Sequence, residues 1–242
     1  MLFRSADLLM HLESLGTTVL PGLGWRLAAA APVLLIAVIG GRIVPSFTRN
    51  WLSRQRAARL PVPPNRFDTA AIAILAVALA LWVLLPEHVV SGVALTLAGF
   101  AHALRLGRWT GLATWPEKLL FILHVGYGWL AAALMLLGLS ILGLGVPVAS
   151  AIHALTAGAI AIMIVAVMPR VTRGHTGRDL TADGATVAVF VLLNAAALAR
   201  VAAGWSAESM TALLLLAGAC WIAAFGLFEL VYGPMLLKRR PG

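Results

Sequence analysis

This sequence is poor in charge and has almost no cysteine. Only 11% of its 242 residues are charged, whereas 61% are hydrophobic, and a soluble domain normally has about a quarter of its residues charged. The single cysteine, Cys220, excludes an intramolecular disulfide and any paired-cysteine redox or zinc motif. Any metal would therefore be held by imidazole, thioether or carboxylate groups. The composition indicates an integral membrane protein.

Seven apolar stretches are long enough, at roughly 20 residues each, to cross the hydrocarbon core of a bilayer as helices. They comprise residues 26–46, 69–86, 90–108, 118–141, 147–168, 181–203 and 208–236. These stretches predict an all-α, polytopic transmembrane bundle that forms a single domain over residues 1–242. The segment before the first stretch has no continuous apolar run, so we expect it to lie along the membrane interface and neither to span the bilayer nor to act as a signal peptide.

Basic residues cluster in alternate connections between the predicted spans. A proline- and arginine-rich stretch over residues 48–68 is the longest of these connections, and Lys238, Arg239 and Arg240 follow the last span. Because loops rich in lysine and arginine face the cytoplasm, we predict that 48–68 is a cytoplasmic loop, with the amino terminus outside and the carboxyl terminus inside. The net charge of +9 is then explained by basic residues that anchor the helix ends at the membrane surface, and nucleic acid is not expected as a partner.

Two histidines lie at hydrocarbon depth and at matching levels. His102 and His124 each lie about six residues, or ~9 Å, from the cytoplasmic end of their predicted spans. A buried imidazole needs a partner. Gly99 and Gly128 lie one helical turn away, so either the two rings flank a flat ligand or the glycines allow close helix packing while each histidine bonds a neighbouring polar group.

Other candidate site residues are arginines and histidines nearer the predicted helix ends. Arg42 and Arg105 are expected near the level of His102, where they could pair with an anionic group or extend to the interface. The glycine-flanked segment from Arg173 to Arg178 contains His175 and could hold an anion with its backbone N–H groups. His153 is predicted nearer the outer leaflet.

Five segments carry a resemblance to a known family. They read GGRIVPSFTRNW, AGFAHALRLGRW, LLFILHVGYGWL, HALTAGAIAIMIVAVMPRVTRGHTGRDL and YGPML, in that order. These segments resemble the NnrS family of bacterial inner-membrane proteins associated with the response to nitric oxide. The likeness covers nearly the whole chain, but we expect it to represent only the carboxyl-terminal part of the family. The family's amino-terminal helices, with their HxHEMxFG motif, are absent from this sequence.

The resemblance implies a multi-pass protein of the bacterial inner membrane that contains heme and copper and responds to or protects from nitric oxide. His102 and His124 are then the candidate heme ligands, and Arg42, Arg105 and Arg178 are candidate partners for the heme propionates. His153 and His175 are candidate ligands of a second metal. The implied partners are lipid, heme and nitric oxide, together with the absent amino-terminal helices or an oligomeric partner.

Two other classes of function stay open at this point. A transporter of small molecules or ions would use buried histidines and arginines as a translocation path. In a noncatalytic membrane scaffold or sensor, the same side chains would only join helices. A bound cofactor would argue against the scaffold.

Overall fold

Seven helices within the described part of the chain are long and apolar enough to cross a membrane. A computed structural model describes residues 2–16 and 20–237. A short first helix, α1 (Leu2–Ser14), precedes the seven candidate spans. The spans are α2 (Leu23–Arg54), α3 (Arg66–Leu84), α4 (Val89–Gly107), α5 (Lys118–Ile141), α6 (Val148–His175), α7 (Gly184–Trp205) and α8 (Met210–Leu237). The predicted all-helical fold with seven membrane spans is confirmed.

Helix α1 is too short, at 13 residues, to cross a bilayer. It packs against the start of α2, where a Cβ added at Gly24 would lie 2.7 Å from the carbonyl oxygen of Ala6. The carboxylate of Glu13 accepts a hydrogen bond from the N–H of Gly22 (2.8 Å) and ties the end of α1 to the turn before α2. Leu8 remains 58% exposed on its outer face.

Sequential helices pack side by side, and α5 lies at the centre of the bundle. In its most apolar 18-residue stretch 61% of the residues are buried, against 17% for α8. Helix α5 packs against α2, α4 and α6, while α8 packs mainly on α7 at the edge of the bundle. Polar groups on α5 therefore have to be satisfied within the protein.

The connection between α2 and α3 is shorter than the predicted loop over 48–68. Helix α2 continues to Arg54 and α3 begins at Arg66, so only residues 55–65 connect them. Thr48 stays helical because its hydroxyl donates to the carbonyl of Val44 (2.8 Å). Asn65 and Asp68 form a capping box that starts α3. The arginine and proline content of residues 48–68 indicated an exposed surface. This surface includes the end of α2 at Arg54 and the start of α3 at Arg66.

The 55–65 connection folds back over the end of α4. The N–H of Val62 donates to the carbonyl of Arg108 (3.0 Å), and the guanidinium of Arg49 bonds the carbonyl of Pro61. These bonds place Arg59 beside the turn that joins α4 to α5. The predicted basic cluster Lys238, Arg239 and Arg240 lies outside the described residues.

Candidate functional site

His124 presents one ring nitrogen without a protein partner. Its Nε2 lies 2.8 Å from the hydroxyl oxygen of Thr48. The hydrogen of that hydroxyl is donated to the carbonyl of Val44, so Thr48 accepts here and His124 donates from Nε2. A neutral imidazole then has its lone pair on Nδ1, and this buried atom has no hydrogen-bond partner among the described residues. Such a nitrogen is suited to bind a metal.

A cavity of about 590 Å³ lies beside His124, between α4, α5 and the turn that joins them. The volume falls within the range of sites for small molecules and cofactors. Its lining is mainly apolar, with Arg59 at the rim and His124 in the wall; other lining residues include Leu106, Phe121, Val125 and Met135. The short 3₁₀ turn Gly111–Thr114 closes one side of the cavity. A Cβ added at Gly111 would lie 2.5 Å from Nδ1 of His124, so the side chain of any other residue there would press on the ring.

His102 lies in a different environment from His124. It is fully buried, and its Nδ1 lies 2.7 Å from the phenol oxygen of Tyr127. That oxygen accepts a hydrogen bond from Nη1 of Arg105 (2.9 Å), and His102 is the only acceptor for the phenol hydrogen among the described residues. The proton of His102 is therefore assigned to Nε2, which has the backbone of Ala71 nearby but no hydrogen bond of normal geometry. A protonated nitrogen offers no lone pair to a metal.

Trp109 lies between His124 and Tyr127, the partner of His102. Its ring contacts the ring of His124, with centroids 6.2 Å apart, and that of Tyr127, with centroids 4.4 Å apart. His124 lines the cavity, whereas His102 does not. The structure brings both histidines into adjacent helices, as predicted, but directs their rings to separate surroundings.

The family comparison agrees with this membrane architecture. The family model described as NnrS protein matches residues 1–240. The chain belongs to the NnrS family. No curated protein and no solved structure matches it. The resemblance predicted from the five sequence segments is thereby confirmed.

Arg105 of this NnrS chain is bound to protein groups. Its Nε donates to Asp68 (2.9 Å), Nη1 to Tyr127 and to the carbonyl of Ala37 (2.7 Å), and Nη2 to the carbonyl of Gly41 (3.2 Å). Four of its five N–H groups are thus used. The predicted pairing of Arg105 with a heme propionate would have to compete with these bonds.

The backbone of α2 supplies acceptors for Arg105 because its hydrogen-bond ladder is interrupted. Pro45 has no N–H, so the carbonyl of Gly41 loses the partner that it would have in a regular helix. Ala37 lies in a π-helical segment, Ile36–Gly40, where the hydrogen-bond pattern is shifted. Sequence reasoning missed this use of α2, although Pro45 within an apolar stretch was the available signal.

Replacing Gly41 with alanine is expected to destabilise the bundle by about 2 kcal/mol. A Cβ at this position would lie 2.6 Å from Cζ of Arg105, so the guanidinium would have to move and its buried hydrogen bonds would weaken. Thermal unfolding in detergent measures the effect. Gly226→Ala is the matched control, since no heavy atom lies within 4 Å of a Cβ there. Equal melting temperatures for the two variants would contradict the expected contact.

The other predicted cofactor partners lie apart from the cavity. Arg42 is exposed, without a hydrogen bond or ion pair among the described residues. Arg178 is half-buried, and its guanidinium makes only a long hydrogen bond (3.5 Å) to the carbonyl of Thr176 in its own turn. Neither lines the cavity beside His124, where Arg59 is the arginine present. Arg59 was not among the predicted site residues.

His153 and His175 lie near opposite ends of α6. They are 22 residues apart on one helix, which corresponds to ~33 Å. Nε2 of His153 accepts a hydrogen bond from Nε of Arg200 (3.1 Å), and His175 is exposed. The two histidines cannot share one metal ion in this arrangement. No group of three or more histidine, cysteine, aspartate or glutamate side chains in the described residues could hold a metal.

A second hydrogen-bond network, buried at Tyr232 and Thr186 but exposed at Asp183, joins α6, α7 and α8. Arg173 donates to the carboxylate of Asp183 (2.5 Å), and Thr186 bonds both Asp183 (2.7 Å) and the phenol of Tyr232 (2.6 Å). Burial alone would raise the pKa of Asp183, but hydrogen bonds from Thr186 and the charge of Arg173 outweigh it and lower the pKa. Asp183 also caps α7, which begins at Gly184, three residues after the predicted start at 181.

Both tyrosines of the chain belong to these networks. Tyr127 and Tyr232 are fully buried, and each bonds an arginine, Arg105 or Arg173. A buried phenol needs a hydrogen-bond partner, so the rarity of tyrosine in an apolar sequence was the signal that could have located both networks.

Proposed function

We propose that this NnrS chain is a heme-binding protein of the bacterial inner membrane that takes part in the response to nitric oxide, with the heme held in the cavity beside His124. Membership of the NnrS family and seven membrane-spanning helices support the general role. The observation that carries the site is that His124 lines the cavity and that its buried Nδ1 has no hydrogen-bond partner among the described residues. Bound heme would supply an iron atom to which nitric oxide binds.

The protein groups around the cavity have separate tasks in this proposal. His124 offers the lone pair of Nδ1, and Thr48 keeps the proton on Nε2 by accepting its hydrogen bond. The apolar walls exclude water, and Arg59 at the rim is the charge partner for a propionate. His102 is assigned to the network that joins α4 and α5 and not to the heme.

Access to Nδ1 requires the Gly111–Thr114 turn to move, because Gly111 covers the nitrogen. The two parts of this turn are packed differently, because Thr114 at its end is fully buried and only its middle is exposed. Leu112 in this turn is 86% exposed, and the turn lies outside the membrane spans. Gly107 ends α4 and Gly111 begins the turn, and the backbones of both glycines adjust at low steric cost.

The donor set does not fit copper in the same way. The described residues contain no group of three or more histidine, cysteine, aspartate or glutamate side chains suited to a metal ion. His153 is bonded to a cation, and His175 has no second predicted ligand beside it. No step of the proposed function is therefore assigned to copper.

The proposal is tested by purifying the whole chain in mild detergent and recording its absorption spectrum with and without nitric oxide. We expect a Soret band that shifts when nitric oxide is added. If no heme copurifies and added hemin gives no Soret band, the proposal fails.

A second arm of this experiment tests the role assigned to Thr48. Thr48→Val removes the acceptor for Nε2–H at nearly constant volume, and loss of such a supporting bond weakens metal binding by at least about tenfold. Thr96→Val is the matched control, because Thr96 makes the same kind of bond to its own helix and none to a histidine. Equal heme affinities in the two variants would count against the assigned tautomer of His124.

A further inference from the structure

A second cavity of about 580 Å³ lies between α2 and α6, away from the cavity beside His124 that is the proposed heme site. Its walls are almost entirely aliphatic. Leu35, Ile39 and Phe47 line one side, and Met163, Val167 and Val171 line the other. From Leu35 to Phe47 the cavity follows α2 for ~18 Å, which is slightly more than half of the ~30 Å hydrocarbon core. Ile39 is 51% exposed, so the cavity is open to lipid.

The charged end of this cavity continues into a smaller one of about 250 Å³. The two share Phe47, Arg170 and Leu180. Arg54, Arg170 and Glu117 line the smaller space together with Asn50 and Trp51. An aliphatic cleft one leaflet deep that ends in charged groups has the form of a phospholipid site.

The charged groups at this end make no direct hydrogen bond with one another, although the charges of Glu117 and Arg170 attract. The guanidinium of Arg170 packs over the ring of Phe47 at 4.4 Å and makes no hydrogen bond within the described residues. Oε1 of Glu117 is buried and also has no partner. No ion pair within 4.0 Å joins Glu117 to either arginine in the described part of the chain. The cluster therefore presents donors for an anion and, separately, a carboxylate for a cation.

We infer that this cleft binds phosphatidylethanolamine, with the phosphate on Arg54 and Arg170, the primary ammonium on Glu117, and one acyl chain between α2 and α6. A phosphate accepts hydrogen bonds from guanidinium groups. The buried and unpartnered Oε1 of Glu117 favours a headgroup that donates N–H bonds, because leaving a buried acceptor unpaired is costly. Phosphatidylcholine has the same net charge but no N–H donor, and phosphatidylglycerol has no cation.

Native mass spectrometry of the whole chain in mild detergent tests the inference, with the three lipids supplied in equal amounts and with identical acyl chains. Wild-type protein is expected to bind phosphatidylethanolamine about tenfold more tightly than phosphatidylcholine, since a hydrogen bond to a charged group discriminates by at least that factor. Equal affinity for the two lipids, or preference for phosphatidylglycerol, would overturn it. The inference would also be overturned if the protein retained none of the three lipids, which is the result expected if another protein surface covers the cleft.

Three variants separate the parts of the site. Glu117→Gln should reduce the preference for phosphatidylethanolamine to near unity, while Glu87→Gln, at an exposed residue outside the cleft, should keep it. The double substitution of Arg54 and Arg170 by glutamine should weaken the binding of all three lipids, by about fivefold for each arginine removed. Ile39→Trp should fill the aliphatic part of the cleft and should also weaken the binding of all three lipids. Retention of the preference by Glu117→Gln would contradict the assignment of the ammonium.

Discussion

Replacing His124 with alanine is expected to lower the heme content of the purified chain at least tenfold. The substitution removes the imidazole that lines the cavity, whose Nδ1 is assigned a free lone pair. No other histidine lines that cavity, so the described residues offer no second imidazole in its place. Heme per chain, measured from the Soret absorbance of folded protein, reports the loss.

Two further variants separate heme ligation from general damage to the fold. His102→Ala should lower the melting temperature, because it removes the acceptor for the phenol hydrogen of Tyr127. It should leave the amount of heme per folded chain unchanged. His11→Ala, at a residue 72% exposed on α1, should change neither quantity. Added imidazole should partly restore heme binding in the His124→Ala variant by replacing the lost side chain. If His102→Ala loses the heme and His124→Ala keeps it, the assignment of the two histidines is reversed.

The overall fold could be predicted from the sequence because each membrane span needs a long apolar run, and such runs are visible directly. Helix ends were predicted less well. Thr48 and Asp68 looked like loop residues because they are polar, yet each is satisfied by local hydrogen bonds within or at the start of a helix. Polarity marks the depth of a residue in the membrane more reliably than it marks the end of a helix.

The candidate site could be predicted only in part. His102 and His124 were both recognised as buried imidazoles, but their different roles depend on Tyr127 and Thr48. Thr48 is 76 residues from His124 in sequence, and no spacing rule connects such residues. Arg105 was expected to face a ligand because its depth suited one. Its partner carbonyls on α2 become available only through Pro45 and the π-helical segment, which a regular helix would not have offered.

Replacing Asp68 with alanine is expected to destabilise the chain by about 3–5 kcal/mol. Asp68 is the carboxylate paired with Arg105, whose side chain is only 4% exposed. Removal of one partner leaves an uncompensated buried charge, and this accounts for the size of the effect. Arg108, at 3.6 Å from Asp68, also loses its partner but is more exposed and should contribute less. Denaturant or thermal unfolding in detergent gives the free energy difference.

Asp68 has a second task, and a second substitution separates it from the first. Its carboxylate accepts the N–H of Asn65 in the capping box that starts α3. Asp68→Asn keeps one oxygen for this cap but removes the charge and the oxygen that accepts from Arg105, so the asparagine variant should exceed the alanine variant in stability by at most the value of the cap, about 1 kcal/mol. Asp7→Ala, at an exposed residue in a helix-surface pair, is the control and should cost less than about 0.5 kcal/mol.

A double-mutant cycle decides whether the pair with Arg105 is the cause. Arg105→Met removes the buried charge while keeping much of the side-chain volume, so it should cost less in the Asp68→Ala background than in wild-type protein. We expect the double variant to be more stable than the sum of the single effects by at least about 1 kcal/mol. Additive effects would show that the carboxylate stabilises α3 alone. The hydrogen bonds of Arg105 to Ala37, Gly41 and Tyr127 would then hold α4 against α2 and α5 without help from the ion pair to Asp68.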